Sequence, residues 1–172
     1  YIEPEYLTGI DYSEEALVMN KALYPGRYAE LFASELVSIG TLALNPNSFD
    51  SIVCSLTLMY LEKADLDICL QAVKSLLNRG ANFIITYPTV SHFRQSNPEA
   101  AELMPDMLSE RITANGFHVK TIKPFCPLVP VEVIDASTDI NAYEKSFAYY
   151  QNAKDKMTME TSYHFVVEAI PV

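Results

Sequence analysis

The chain has 172 residues, a length that suits one domain, and its 12 Lys and Arg residues against 22 Asp and Glu residues leave a net charge of −10. Apolar residues make up 49% of the chain and charged residues 20%, so it can bury a core and is not disordered by composition. An acidic chain repels phosphate backbones and anionic lipids, which argues against unaided binding to nucleic acid or to a membrane surface.

Strand and helix signals alternate along the chain. In order, they predict strand 6–12, a helix between residues 13 and 25, strands 28–33 and 49–55, helix 65–78 and strand 81–87. A helix from residues 97–98 toward 115–116, interrupted at Pro105, and strands 117–123 and 163–170 are predicted to follow. Ser13 is a typical N-cap, and apolar residues between 65 and 78 recur at helical spacing, with Gly80 just beyond. In the strand at 49–55, the run Ile52-Val53-Cys54 indicates burial on both faces.

This alternation predicts a single α/β domain over residues 1–172, with a mostly parallel sheet covered by helices on both faces. The last two strands are expected to pair antiparallel at an edge. Residues 124–162, between those strands, form an irregular insertion that opens with a proline-rich run. The insertion could act as a lid, a dimer surface or plain packing, so a homo-oligomer is left open.

Several kinds of site are excluded by composition. The chain has five glycines, and the closest pair, Gly26 and Gly40, are 14 positions apart, so it holds neither a P-loop nor a G-x-G-x-x-G loop. No histidine motif or paired cysteines indicate a metal site. Three well-separated cysteines argue against a disulfide framework, and no apolar run reaches the ~18 residues of a membrane span. A cytoplasmic protein is therefore expected.

Four segments, taken in order, resemble a class I S-adenosylmethionine-dependent methyltransferase read from its second strand onward. They are Leu-Thr-Gly-Ile-Asp-Tyr-Ser at 7–13, Asn-Ser-Phe-Asp-Ser-Ile-Val-Cys-Ser at 47–55, Leu-Met-Tyr-Leu at 58–61, and Leu-Leu-Asn-Arg-Gly at 76–80. In the family, the last of these positions often carries a Leu-Lys-Pro-Gly-Gly turn before a strand. The resemblance implies a Rossmann-like methyltransferase sheet with S-adenosylmethionine as cofactor.

The sequence departs from the family at its start. The family's first strand and its glycine-rich loop would precede residue 6, and a strand with its following helix needs roughly 30 residues. That strand is central in the family, so the resemblance implies a gap between the strands that should flank it. We therefore expect the chain to be truncated or an excerpt, and inactive by itself.

Asp11 is the first candidate cofactor ligand, because a carboxylate at the carboxyl end of a strand can accept both hydroxyls of a ribose. The alternative is that Asp11 only caps the helix begun at Ser13. The resemblance implies that Tyr12 stacks on adenine, unless it merely packs, and that Ser34 or Glu35 meets the adenine amino group, unless these are ordinary surface residues.

The resemblance also places the methionine moiety on the backbone of Ser55, Leu56 and Thr57, whose alternative is a plain loop. His92 follows the strand that ends at residues 87–88 and is the candidate catalytic base for an acceptor that must lose a proton. Its alternative is a structural or solvated loop histidine.

The sequence therefore predicts a methyltransferase that transfers a methyl group from S-adenosylmethionine to a small molecule, without nucleic-acid or membrane partners. Two other readings stay open. One is a non-catalytic methyltransferase-like module for binding or assembly, with the insertion at 124–162 as its contact surface. The other is a different nucleotide-binding α/β enzyme, since an acid at a strand end is not unique to methyltransferases.

Overall fold

A computed structural model describes residues 7–89, 103–127, 148–153 and 155–172 of the chain. The chain divides into two compact units, Tyr1–Leu44 and Asn45–Val172, which we call the N-terminal and the C-terminal unit. Each unit has its own sheet among the described residues, one of two strands and one of four.

In the N-terminal unit, strands β1 (Thr8–Asp11) and β2 (Glu30–Ala33) pair in parallel, with Asp11 opposite Ala33. Helix α1 (Glu14–Leu23) connects them, and a 3-10 helix (Leu36–Thr41) follows β2. Ser13 caps α1 as predicted, since its Oγ accepts the Ala16 N–H at 3.1 Å. The parallel pairing brings the carboxyl ends of both strands to the same edge.

Gly9 allows the two strands of this unit to pack closely. A Cβ atom at this position would lie 2.5 Å from Leu31 Cδ2 and 3.3 Å from the Tyr28 ring. Any larger residue at position 9 would therefore push the side chains on and before β2 away from β1.

The C-terminal unit contains a four-stranded sheet in the order β3-β4-β6-β5. Its elements are β3 (Phe49–Ser55), a 3-10 helix (Leu58–Tyr60), α2 (Lys63–Leu76), β4 (Leu77–Pro88), α3 (Pro105–Ala114), β5 (Phe117–Pro127) and β6 (Ser162–Pro171), and residues 148–153 are also helical. β3 pairs in parallel with β4, and β6 runs antiparallel to both β4 and β5. The predicted fold class is confirmed, with the antiparallel strand one place in from the edge.

One face of this sheet forms the core. Its buried residues alternate along the strands and recur at helical spacing on the helices: Phe83, Ile85 and Tyr87 on β4, Phe165, Val167 and Ala169 on β6, Leu66, Cys69, Leu70 and Val73 on α2, and Leu108 and Ile112 on α3. Aromatic pairs join the strands, with ring centroids 5.4 Å apart for Phe83 and Phe117. This burial of apolar surface is the main stabilising contribution to the unit.

The expectation that the strand at 49–55 is buried on both faces is wrong. Val53 is 64% exposed, while Ile52 and Cys54 are only partly buried. The reason lies in the strand order, because β3 is the end strand of its sheet among the described residues and has β4 as its single neighbour there.

β5 extends beyond its predicted end at residue 123, as far as Pro127. Among the described residues, β5 is an end strand of its sheet, and this position accommodates Pro124, since an edge strand has one side on which no N–H group is needed. The connection between β5 and β6 thus covers residues 128–161, and most of it lies outside the described residues.

No helix within the described residues is long and apolar enough to cross a membrane.

Candidate functional site

The carboxyl ends of β1 and β2 hold the first group of predicted site residues. The Ser34 N–H donates to the Asp11 carbonyl at 2.9 Å, so the residues that follow the two strands are tied together. Asp11 Oδ1 accepts the Ser13 N–H at 2.9 Å, and no described residue hydrogen-bonds to Oδ2. One carboxylate oxygen thus accepts a hydrogen bond from the N-cap residue of α1, while the other is open to a hydroxyl donor.

The neighbouring residues at this edge are accessible. Tyr12 is 82% exposed and lies directly after the carboxylate. Ser34 Oγ donates to the Glu35 carbonyl at 3.0 Å, and the Glu35 side chain is exposed at the start of the 3-10 helix, which it does not cap. The structure therefore brings Asp11 and Ser34 together and leaves the Tyr12 ring and the Glu35 carboxylate available for a ligand.

In the C-terminal unit, residues 55–57 form a turn with an unusual backbone. Leu56 has a φ of 54°, in the left-handed region that costs a residue with a Cβ atom about 1–2 kcal/mol. Its N–H donates to both the carbonyl and the Oγ1 of Thr86, at 3.1 Å each. The Ser55 and Thr86 hydroxyls lie 3.0 Å apart, so the turn is held against the carboxyl end of β4.

The other side of the same turn is held by Cys54, whose Sγ lies 2.7 Å from Thr57 Oγ1. Burial raises the pKa of the Cys54 thiol, although its contact with Thr57 partly opposes the shift. Burial likewise raises the pKa of Cys69 to about 12, with a smaller contribution from Cys54. Both thiols are therefore protonated at neutral pH, and they serve as packing and hydrogen-bonding groups rather than as nucleophiles.

Thr86 was missed by the sequence reasoning. It is the polar residue that follows Phe83-Ile84-Ile85 at the carboxyl end of β4, the end where ligands bind in open α/β sheets. That position was a usable signal, but only the structure shows that its side chain reaches the Leu56 turn.

Two remaining predictions concern the histidine base and metal ions. His92 lies outside the described residues. Within the segments that the structure describes, no group of three or more His, Cys, Asp or Glu side chains is arranged to hold a metal ion.

A cavity of about 540 Å³ lies elsewhere in the N-terminal unit. Lys21, Arg27 and Glu30 contribute to its wall, at the end of α1 and the start of β2. Neither Asp11 nor Ser34 lines it, because both lie at the opposite ends of the strands. The cavity is therefore separate from Asp11, the residue predicted to bind a ribose.

The order of the elements and the sheet topology are those of a Rossmann-like α/β fold of the class I methyltransferase type. A sequence profile described as a methyltransferase domain matches residues 3–159, and the chain therefore belongs to that methyltransferase family. A search of curated proteins found no match.

Solved structures of other methyltransferases share this fold at low sequence identity. An S-adenosylmethionine-dependent methyltransferase from Archaeoglobus fulgidus is 16% identical, with a TM-score of 0.63 over 95% of this chain and 75% of that one. A second, from Mesorhizobium loti, is 17% identical, with a TM-score of 0.63 over 96% and 80%. Phosphoethanolamine N-methyltransferase 2 from Haemonchus contortus, solved with S-adenosyl-L-methionine, is 15% identical, with a TM-score of 0.61 over 96% and 43%.

The Archaeoglobus fulgidus and Mesorhizobium loti proteins are described as S-adenosylmethionine-dependent, and the Haemonchus contortus enzyme was solved with S-adenosyl-L-methionine bound. The described residues fit parts of such a molecule: the open Asp11 oxygen suits a ribose hydroxyl, and the exposed Tyr12 ring suits a purine face. The backbone at Leu56 is held in a fixed conformation before any ligand arrives.

Proposed function

We propose that this methyltransferase domain transfers a methyl group to a small molecule and holds its cofactor at the carboxyl ends of its parallel strands. The observation that carries the proposal is the Asp11 carboxylate, which ends β1 with one oxygen bonded to Ser13 and one open. A ribose hydroxyl donating to the open oxygen would complete the hydrogen bonding of that carboxylate.

In this proposal, Tyr12 stacks on the adenine ring, and Ser34 or Glu35 meets the adenine amino group. The Ser55–Leu56–Thr57 backbone holds the methionine moiety. When bound, the cofactor supplies a methyl group already activated by its sulfonium charge, so the protein mainly has to orient donor and acceptor. We retain His92 as the proposed base for an acceptor that must lose a proton.

The net charge of −10 supports a small-molecule acceptor over a nucleic acid, because a phosphate backbone would be repelled. The cysteines support a cytoplasmic location, since Cys54, Cys69 and Cys126 are all free thiols.

The test is calorimetric titration of the full-length protein with S-adenosylmethionine, comparing wild type with Asp11→Asn. Asparagine keeps an oxygen for the Ser13 N–H but removes the charge and one acceptor. We expect binding to weaken at least fivefold, the loss of about 1 kcal/mol for one hydrogen bond.

The matched control is Ser13→Ala, which removes the α1 cap and leaves the carboxylate intact. It should lower the stability of the helix by about 1 kcal/mol and leave cofactor affinity unchanged. Equal affinity of wild type and Asp11→Asn would remove Asp11 from the site. If the wild-type protein binds no S-adenosylmethionine, the proposed methyltransferase activity is wrong, and the non-catalytic binding module is favoured.

A further inference from the structure

Thr86, near the carboxyl end of β4, makes side-chain hydrogen bonds in addition to the main-chain bonds that pair the strands. The parallel ladder between β3 and β4 already pairs Ser55 with Thr86, and the Leu56 N–H is already bonded to the Thr86 carbonyl. The Oγ1 of Thr86 adds a second acceptor for that N–H at 3.1 Å and a contact with Ser55 Oγ at 3.0 Å.

These added bonds fall on the strained residue of the turn. Leucine has no preference for a positive φ, so Leu56 stays at 54° only if its surroundings favour that conformation. The next anchor is Leu58, which is 1% exposed and fixes the chain beyond the turn. Between this anchor and β3, the Thr86 hydroxyl is the side-chain group that bonds to the strained amide.

We propose that Thr86 is a positioning residue: its hydroxyl keeps Leu56 left-handed, so that the 55–57 backbone is preorganised for the methionine moiety of S-adenosylmethionine. The inference rests on the proposed placement of that moiety at the turn. A loop that is ordered before binding loses less conformational entropy on binding, and this difference appears as affinity. Thr86 itself need not touch the cofactor.

The first test replaces Thr86 in the full-length protein by valine, which keeps the branched shape and the main-chain bond but removes the hydroxyl. We expect S-adenosylmethionine affinity, measured by calorimetry, to fall about three- to tenfold. Thr86→Ser keeps the hydroxyl and should restore wild-type affinity. Thr121→Val, on β5, is the matched control for a threonine in the same sheet and should leave affinity unchanged.

A second variant separates positioning from general destabilisation. Glycine adopts a positive φ without steric cost, so Leu56→Gly should make the turn insensitive to Thr86. In the Leu56→Gly background, adding Thr86→Val should cost less than twofold in affinity. If Thr86→Val alone fails to fold, this pair of variants still gives the comparison, and a loss of more than twofold in the Leu56→Gly background would overturn the inference.

Hydrogen exchange at the Leu56 amide, measured without cofactor, tests the inference independently of binding. Thr86→Val should speed this exchange at least threefold, and Thr86→Ser should not. A wild-type protein that binds cofactor with an affinity unchanged by Thr86→Val would overturn the positioning role alone. A wild-type protein that binds none would overturn the proposed function, and unchanged exchange in Thr86→Val would then overturn the inference about the turn as well.

Discussion

Cys69 illustrates what burial does to a single titratable residue. Its side chain is fully buried among the apolar residues of α2, and burial raises its pKa to about 12 from an ordinary value of 9.0. In the unfolded chain the same thiol is solvated and ionises near its ordinary pKa. The folded state therefore holds this proton over a pH range in which the unfolded state releases it.

The stability of the protein should consequently fall as pH rises above about 9. The contribution of Cys69 is fully present below that pH and is lost progressively up to about pH 12. Between pH 8 and pH 10, this thiol should account for roughly 1 kcal/mol of lost unfolding free energy, measured by urea denaturation.

Cys69→Ala should remove that part of the pH dependence while lowering stability at pH 8 through the cavity it leaves. Cys126→Ala provides the matched control, because it removes a thiol from β5 and should leave the effect of Cys69 in place. If the unfolding free energy falls with pH to the same extent in wild type and in Cys69→Ala, the buried thiol is not the cause of the fall.

Residues whose role is local could be predicted from sequence, and residues whose role depends on distant partners could not. The Ser13 cap and the place of Asp11 at the end of a strand could be predicted, because both depend on residues adjacent in the sequence. The left-handed Leu56 could not, since leucine gives no signal for a positive φ. Its partner Thr86 is 30 residues away and becomes its neighbour only through strand pairing.

Helices α2 and α3 are joined by polar contacts centred on Asn115. This residue is 8% exposed, and its Nδ2 donates to Asp67 Oδ1 at 2.7 Å and to the Arg111 carbonyl at 2.9 Å. Its Oδ1 accepts from Gln71 at 3.0 Å. The Asp67–Arg111 ion pair beside it is partly exposed, so that pair contributes less than the buried amide.

Asn115→Ala should therefore destabilise the protein by about 2 kcal/mol, because it removes a buried amide together with its hydrogen bonds to Gln71, Asp67 and the Arg111 carbonyl. Urea unfolding of the full-length protein gives this difference. Thr113→Ala, exposed on the same helix, is the matched control and should change stability by less than about 0.5 kcal/mol. A loss at Asn115 no larger than that of the control would mean that the amide does not join the two helices.

Element boundaries show the same division between local and distant causes. The bounds of β3 agree with prediction, and α2 follows its apolar spacing. The expected helix to residue 78 instead ends at Leu76, and β4 begins four residues before its predicted start. Pairing with β3 causes this early start: Leu77 lies opposite Phe49, and a register shift follows before Asn82 meets Ser51. A single sequence does not reveal such a shift.

At the scale of the whole molecule, the candidate cofactor residues form two sets, one at the strand ends of each unit. The N-terminal set is Asp11, Tyr12, Ser34 and Glu35, and the C-terminal set is residues 55–57 with Thr86 behind them. The central proposal is that residues of each set bind S-adenosylmethionine.

Hydrogen exchange of the full-length protein with and without S-adenosylmethionine tests that claim most directly. Saturating cofactor should slow exchange in peptides that cover residues 11–12, 34–35 and 55–57, and leave helix α3 (Pro105–Ala114) unchanged. Protection of only one set, or protection at the Lys21–Arg27 cavity instead, would contradict the claim.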